Sequence, residues 1–499
     1  MVKNPVNKWP SIALIVVFCS AVLYFSFLQF NSRVFYDPDS YYNMAVTSSI
    51  KDNGLHHRFD WAQFSVFKTN FADKDLVLHL ITLPFAYITA NPVYAGKYAL
   101  VLCAFLFLFV YTLILRKYAS PGLTAIFLLF PLSSSVFSIY LLELRSVTLA
   151  NILIILGVYS LIKKRTLWIL IISAILPLTH VSFFLFAVFA LICECLRRAI
   201  DKEFCLKNIY AAAGGILLGI FIHPNFPNNV LMAYLNSIVV GLYIIKGVDL
   251  GFSGELMPFN TKFALTDNFS LFFCLGIVLW TALLARKKAG FSSCAWLAVC
   301  GVYLAFAFFS SRYWYQANIF FFIFCASYAK DLREEGDPAV IRRKTRGFIA
   351  LGLACLLVFI PLNTGHLFQL RKYLSQNSAY RENTGRWMSE HMPGKQTVYH
   401  SYWDDSAYFM CLNPKDNYIN TLDPIYMFYG FPKEFDILNN LSLGRVNNPR
   451  EVLEKVFKVK YGYLRKSEPL YRQVLQDRIN FSIIYADAAG AVFEIRTSQ

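Results

Sequence analysis

"YDPDSYYNMAV", residues 36–46, places two carboxylates and three tyrosines a few residues beyond the apolar run 11–30. The stretch is too polar to stay in lipid and too aromatic for an ordinary solvated loop, so it reads as the mouth of a membrane helix. On the plainest reading, Asp37-Pro38-Asp39 is a turn that ends the apolar run and caps a helix starting at Ser40. On the functional reading, one carboxylate is a general base or a ligand of a divalent ion, and Tyr41 and Tyr42 pack at the interface or against a sugar. The two readings are compatible.

The rest of the chain agrees with a membrane setting. Its 499 residues are 57% hydrophobic and 17% aromatic but only 16% charged, and the mean hydropathy is +0.45. Soluble domains do not have this balance, so the chain is a polytopic α-helical membrane protein. The net charge of +16 comes from basic residues beside apolar runs, where they set topology; a nucleic-acid partner is not expected. Most of the 11 cysteines, including Cys19, Cys103, Cys274, Cys300, Cys325 and Cys355, lie within apolar stretches as small hydrophobes. They predict neither disulfides nor a zinc cluster.

A spanning helix needs about 20 apolar residues. About 11 transmembrane helices are predicted, at 11–30, 97–115, 121–136, 146–162, 166–179, 181–197, 209–222, 269–285, 292–310, 313–329 and 347–363. No small-residue cleavage site follows the first run, which is therefore an anchor. Lys3, Lys8, Arg116-Lys117, Lys163-Lys164-Arg165, Arg197-Arg198, Arg286-Lys287-Lys288 and Arg342-Arg343-Lys344 are placed inside by the positive-inside rule. Counting 76–90 or 230–245 as crossings would break that pattern, so both are read as interfacial helices in the outer loops 31–96 and 223–268. The transmembrane domain is 1–363. From 364 to 499 the composition becomes that of a globular α/β domain on the outer face. "KQTVYHSYW", "DNYINTLD", "YGYLR" and "FSIIYADAAGAVFEIRT" read as short strands, and "NNPREVLEKVFK" and "PLYRQVLQDR" as helices.

The unusual polar stretches then share the outer side, where repeated ionisable groups mark a functional surface. "SVFSIYLLELRSV" (135–147) offers Glu143 and Arg145; "IHPNFPNNVLMAYLN" (222–236) is a loop or lines a polar cavity; "GFSGELMPFN" (251–260) offers Glu255. His180, in "LPLTHVSFF", is either a satisfied interfacial histidine or a site residue. Arg312, in "SSRYWYQAN" (310–318), either snorkels to headgroups or gives paired donors to a phosphate. Lys246 and Arg58 are further candidates for that phosphate. "HSYWDDSAYF" (400–409) offers Trp403 and Asp404 to an acceptor, while Asp423-Pro424 reads as a structural turn.

"DSYYNMA" at 39–45 resembles the Asp-x-Tyr-Tyr-His element in the first outer loop of oligosaccharyltransferase catalytic subunits, members of the GT-C glycosyltransferase class. A long first outer loop ending in "DLVLHLITLPF", a later outer loop with a Glu and an outer domain with a Trp-Asp element are similar to that family too. The resemblance implies inverting transfer of a sugar or oligosaccharide from a polyprenyl-(di)phosphate carrier to a protein, polysaccharide or lipid acceptor at the outer membrane face. It puts Asp39 at the acceptor-binding, metal-proximal position, with Asp37 and Glu255 as further catalytic carboxylates. It implies Mg or Mn held by Asp39 and Glu143. Where the family carries paired acids in its second loop, this chain has Glu143-Leu144-Arg145, so Arg145 either replaces a ligand or neutralises Glu143 in an ion pair. Tyr402 and Asp405-Ser406 depart from the family's Trp-Trp-Asp-Tyr-Gly element, so an Asn-x-Ser/Thr acceptor is not assumed. No nucleotide cofactor is expected, since no Gly-rich phosphate loop is present.

The expectation is therefore a glycosyltransferase of a prokaryotic plasma (inner) membrane, its site facing outward and its partners a polyprenyl-linked donor, a protein or glycan acceptor and membrane lipids. The competing classes are a transporter or flippase of lipid-linked glycan intermediates and a non-catalytic receptor with an outer sensor domain. A transporter calls for mid-bilayer charges and broken inverted repeats.

Overall fold

A computed structural model describes residues 9–248, 250–285, 289–335 and 338–496; the side chains at 284, 285, 335 and 338–351 lie outside the description. The orientation-setting residues Lys3, Lys8, Arg286, Lys287, Lys288, Arg342, Arg343 and Lys344 fall outside the described residues or side chains. What is described is a bundle of apolar helices whose polar end carries a mixed α/β layer.

Four described helices are long and apolar enough to cross a bilayer: Trp9–Phe30, Pro92–Tyr118, Asn228–Ile245 and Gly352–His391. The pair Thr261–Asp267 and Phe269–Leu283, bent by 74°, makes a fifth if it is one span. The eleven expected crossings are thus not reproduced as uniform rods. Shorter apolar helices such as Pro121–Leu132, Val147–Ile162, Thr166–Thr179, Leu206–Ile222 and Phe291–Ala307 fill much of the bundle. Segment 230–245, expected at the interface, lies in a helix of spanning length and composition, while Leu76–Ile88 has only 13 residues.

Close packing of short helices needs small residues where backbones meet. Gly215 and Gly219, four residues apart on Leu206–Ile222, face the helix Thr166–Thr179. A Cβ at Gly215 would lie 2.0 Å from Ser173 Oγ, and one at Gly219 would lie 2.2 Å from the Ala174 carbonyl oxygen.

The helix Trp9–Phe30 ends without a glycine cap, and its last carbonyls are met by two cations instead. Lys97, fully buried, donates to the carbonyls of Gln29 (3.0 Å) and Ser32, and Arg371 donates to Leu28 and lies over the Tyr36 ring. These bonds fix where the chain leaves the bundle and enters "YDPDSYY". The next helix, Pro38–Asn53, starts as its sequence dictates, with Pro38 in the first turn and Asp37 as N-cap, and stops at Gly54, whose φ of +78° favours glycine.

The outer layer is built on five strands: β1 (Thr397–His400), β2 (Asn417–Tyr418), β3 (Tyr461–Arg465), β4 (Phe481–Ala486) and β5 (Gly490–Ile495). They are ordered β2-β1-β3-β5-β4, with β1 parallel to β2 and β3, and β5 antiparallel to both its neighbours. Each strand falls within a segment whose alternation predicted one. The helix Pro338–His391 is continuous across residues 363–364 and, at 54 residues, is about 80 Å long, far more than a bilayer of about 30 Å. Its C-terminal part enters the outer layer. The loop after Pro38–Asn53 is stitched to the same layer: Tyr418 N donates to Trp61 O (2.6 Å), Gln63 N to Tyr418 O (2.8 Å) and Phe64 N to Ile419 O (2.8 Å). One hydrophobic core therefore runs from Phe35, Tyr41 and Phe59 through Tyr418 and Tyr426 to Phe493.

Two measurements test this architecture. Gly219→Ala forces two helix backbones apart and should cost about 1–3 kcal/mol, read as a lower melting temperature in detergent. In the outer layer, burial pushes the Glu468 carboxyl up to about 7 despite the bonds it accepts from Ser401 Oγ and Arg465 N. The native state then binds a proton that the unfolded chain releases near the ordinary 4.5. Its stabilising effect is present below that value and lost as the pH rises through about 7. Glu468→Gln should flatten the fall in stability over that window.

Candidate functional site

Four separate pieces of chain meet where the bundle joins the outer layer: the start of Pro38–Asn53, the turn 141–146, the loop 250–260 and the short helix Ser311–Tyr313. At their junction is Arg145. Its Nη2 lies 2.9 Å from Asp39 Oδ2, its Nε 3.1 Å from Glu143 Oε2, and its Nη1 2.7 Å from Glu255 Oε2. Glu255 is shared: Oε1 accepts from Arg312 Nη2 at 2.9 Å, and Oε2 also accepts from Tyr140 OH at 3.0 Å. Burial would raise the Glu255 pKa, but Arg145 and Arg312 outweigh it and hold the carboxyl far below its usual range. Burial wins at Glu143, whose pKa is pushed well up against the pull of Arg145.

Each member of the cluster is held by local bonds. Ser310 and Ser311 hydroxyls donate to the Glu255 carbonyl (3.1 and 3.0 Å), and Ser311 N donates to Met257 O (2.9 Å), so "SSR" clamps the loop that brings Glu255 in. The turn bearing Glu143 and Arg145 is pinned to Pro38–Asn53: Leu144 N donates to Ser40 Oγ (2.9 Å), and Asn43 Nδ2 donates to Leu144 O (2.7 Å). Behind it, His79 places Nε2 3.0 Å from Asn43 Oδ1 and Nδ1 2.7 Å from Asp73 Oδ2, so both ring nitrogens face acceptor oxygens in a buried site. Asn225 and His223 hold the Asp73 backbone in turn, by Asp73 N to Asn225 Oδ1 and by His223 Nε2 to Asp73 O. The Pro/Asn-rich stretch 222–236 is thus a buttress.

Not every expected site residue reaches the cluster. Asp37 is buried and spends both oxygens on Ser40, Oδ1 on the backbone N–H (2.8 Å) and Oδ2 on the hydroxyl (2.6 Å), as a helix cap. Burial raises its carboxyl to about 6 in spite of Arg145. Tyr41 and Tyr42 are buried rather than open to an acceptor. Tyr41 donates to Glu382 (2.6 Å) and packs on Tyr408, and Tyr42 packs on Phe59. Arg58 and Lys246 are exposed and make no ion pair among the described residues, so of the expected phosphate binders only Arg312 stands at the cluster. Asp404 pairs with Arg465 (2.5 Å), and the buried Asp405 is held between Arg465 and Arg381. Trp403 Nε1 donates to Gly251 O (3.0 Å), tying the outer layer to the Glu255 loop. His180 bonds Ser182 Oγ at 2.7 Å. Asp423 caps Pro424–Gly430, and burial raises its carboxyl to about 7.

The metal expected on Asp39 and Glu143 does not fit these side chains. A divalent ion takes several carboxylate oxygens at about 2.0–2.6 Å, but the space between Asp39, Glu143 and Glu255 holds a guanidinium that lies within ion-pair distance of all three. Among the described residues no three His, Cys, Asp or Glu side chains are arranged to hold an ion.

No family model and no curated protein matches the sequence. Solved structures do resemble the fold. The oligosaccharyltransferase of Archaeoglobus fulgidus is 13% identical, covers 92% of this chain over 70% of its own, and superposes with a TM-score of 0.63. ArnT from Cupriavidus metallidurans is 12% identical, with 96% and 97% of the two chains covered and a TM-score of 0.57. The mycobacterial arabinofuranosyltransferase AftD is 12% identical over 99% of this chain and 40% of its own, at 0.57. The GT-C resemblance therefore holds at the level of the fold.

Sequence reasoning gave no site role to His79, Asp73 or Asn43; His79 showed only as a polar residue inside the apolar segment 76–90. Asn43→Leu would leave the Leu144 carbonyl and a His79 nitrogen unpaired, a loss of about 1–3 kcal/mol for each buried group. Amide exchange in 141–146 should speed up while exchange in β3 and β5 stays unchanged.

Proposed function

We propose that this chain, with its GT-C glycosyltransferase fold, is an integral membrane enzyme. It transfers a sugar or oligosaccharide from a polyprenyl phosphate or diphosphate to a protein or glycan acceptor. The observation that carries the reading is the state of Asp39. It is the most exposed of the three clustered carboxylates, at 28% against 23% for Glu255 and 13% for Glu143. Arg145 holds its Oδ2, while Oδ1 has no hydrogen-bond partner among the described residues. An oriented carboxylate with one open oxygen is what a general base requires.

In the transfer, the acceptor O–H or N–H gives its proton to Asp39 Oδ1 as the acceptor atom bonds to the anomeric carbon. The bond from that carbon to the carrier phosphate oxygen breaks, and the phosphate leaves with the electron pair. Attack opposite the leaving group inverts the anomeric centre. Arg312 is the donor-side cation: its side chain is 36% exposed and one nitrogen is on Glu255, which leaves further guanidinium nitrogens for phosphate oxygens. Phe308 and Phe309, both mostly exposed, stand just before it in the chain and offer apolar surface for the first isoprene units. Two of the structures with this fold support a lipid-linked donor, the archaeal enzyme in complex with a dolichol-phosphate and ArnT bound to undecaprenyl phosphate. The acceptor is left at the level of a protein or glycan, because Asp404 and Asp405 are spent on Arg465 and Arg381. The site would face outward from a prokaryotic plasma membrane.

Asp39→Asn keeps the shape and removes the base; turnover of a lipid-linked donor should fall about 10²–10⁴-fold with melting unchanged. Arg312→Ala should chiefly raise KM for the donor, and Asp37→Asn should leave turnover within a few-fold. Full transfer by the Asp39→Asn protein would overturn the reading.

A further inference from the structure

We propose that the Arg145 guanidinium is a built-in cation that takes the place of a divalent metal among Asp39, Glu143 and Glu255, so that this chain does its chemistry without a bound metal ion. The inference rests on the glycosyltransferase reading for its chemistry, but its geometric basis is independent of it.

Three carboxylates brought together from chain positions 39, 143 and 255 repel one another unless a positive charge lies between them. Proteins meet that need with a cation supplied from solution or with one supplied by the chain. Here the chain supplies it. Three guanidinium nitrogens, Nε, Nη1 and Nη2, stand within ion-pair distance of three different carboxylates, at 3.1, 2.7 and 2.9 Å, and the Nη1 contact to Glu255 is a hydrogen bond. One side chain is thus shared by three acids, whereas an incidental ion pair joins one cation to one carboxylate. The guanidinium is also held in place by the Tyr140 ring, 5.6 Å from it, and by the turn that Ser40 and Asn43 pin.

A divalent ion could bind these oxygens only by displacing Arg145, beside which Arg312 already occupies Glu255 Oε1. The functional consequence concerns Asp39. A metal would draw on the oxygens of that carboxylate as a Lewis acid, whereas a guanidinium orients it by one oxygen and leaves the other basic. Charge neutralisation of the leaving phosphate then falls to Arg312 rather than to a shared ion.

The test uses the full-length protein in nanodiscs and Mn²⁺ as the probe, followed by its electron paramagnetic resonance signal, which reads metal binding whether or not transfer occurs. Wild type should show no saturable Mn²⁺ site up to millimolar concentration, and its transfer rate should be unchanged by excess EDTA. Arg145→Ala should create a single saturable Mn²⁺ site that disappears when Asp39→Asn is added. Arg145→Lys, which keeps the charge, should stay free of Mn²⁺. Stoichiometric Mn²⁺ on the wild type, or loss of transfer in EDTA restored by Mn²⁺, would overturn the proposal even if every variant of Arg145 failed to fold. A wild type that binds no Mn²⁺ yet transfers no sugar from any polyprenyl donor would overturn the enzyme reading while supporting the exclusion of metal by Arg145.

Discussion

The polar end of the molecule depends on one guanidinium held among three acidic side chains. Without Arg145, the start of Pro38–Asn53, the turn 141–146 and the loop 250–260 would each present a carboxylate to the others at short range, partly screened from water, where Coulomb repulsion is strong. With it, the same three acids become cross-links between segments far apart in the chain; Arg145 and Glu255 are separated by 110 residues. The cost of burying these charges is met by pairing and by the surrounding hydroxyls and amides. Arg312 supplies a second positive charge at the more exposed rim.

Around that hub, the structure separates positioning from reaction. Asp37 and Asp39 are two residues apart, yet the first is consumed by Ser40 as a cap and the second is turned outward. The same helix geometry produces both results, because a cap must look back along the helix at its first N–H groups while the residue in the first turn is free to project elsewhere. The tyrosines that made the motif conspicuous serve the junction with the outer layer, Tyr41 through Glu382 and Tyr408 and Tyr42 through Phe59.

What could be read from the sequence was local. Pro38 after Asp37, the strand alternation in "YGYLR" and "FSIIYADAAGAVFEIRT", and the apolar runs all act over a few residues, and each gave the right kind of element. The number of crossings was less legible, because Pro121–Leu132, which contains Pro131, stops short of its apolar run 121–136, and Thr166–Thr179 matches its run but has only 14 residues. The Gly215 and Gly219 pair was visible but carries meaning only once its partner helix is known. The hub was half legible: Glu143 and Arg145 were read as a pair, but the convergence of Asp39, Glu255 and Arg312 on them is a tertiary fact. The place of Arg312 beside Tyr313 and Trp314 at the end of apolar helices sets it ahead of Arg58 and Lys246, and the latter two are exposed.

The unbroken helix Pro338–His391 and the backbone bonds between Trp61–Phe64 and Tyr418–Ile419 give the protein a single mechanical frame. A chain severed after residue 391 would expose Tyr41, Tyr42 and Phe59 to water and lose the anchor that Trp403 provides to Gly251. The extramembrane portion is therefore no detachable accessory that evolution could swap like a module: any rearrangement of its face must preserve the seam, and selection for a new acceptor would be expected to act on the rim of that seam rather than on its interior.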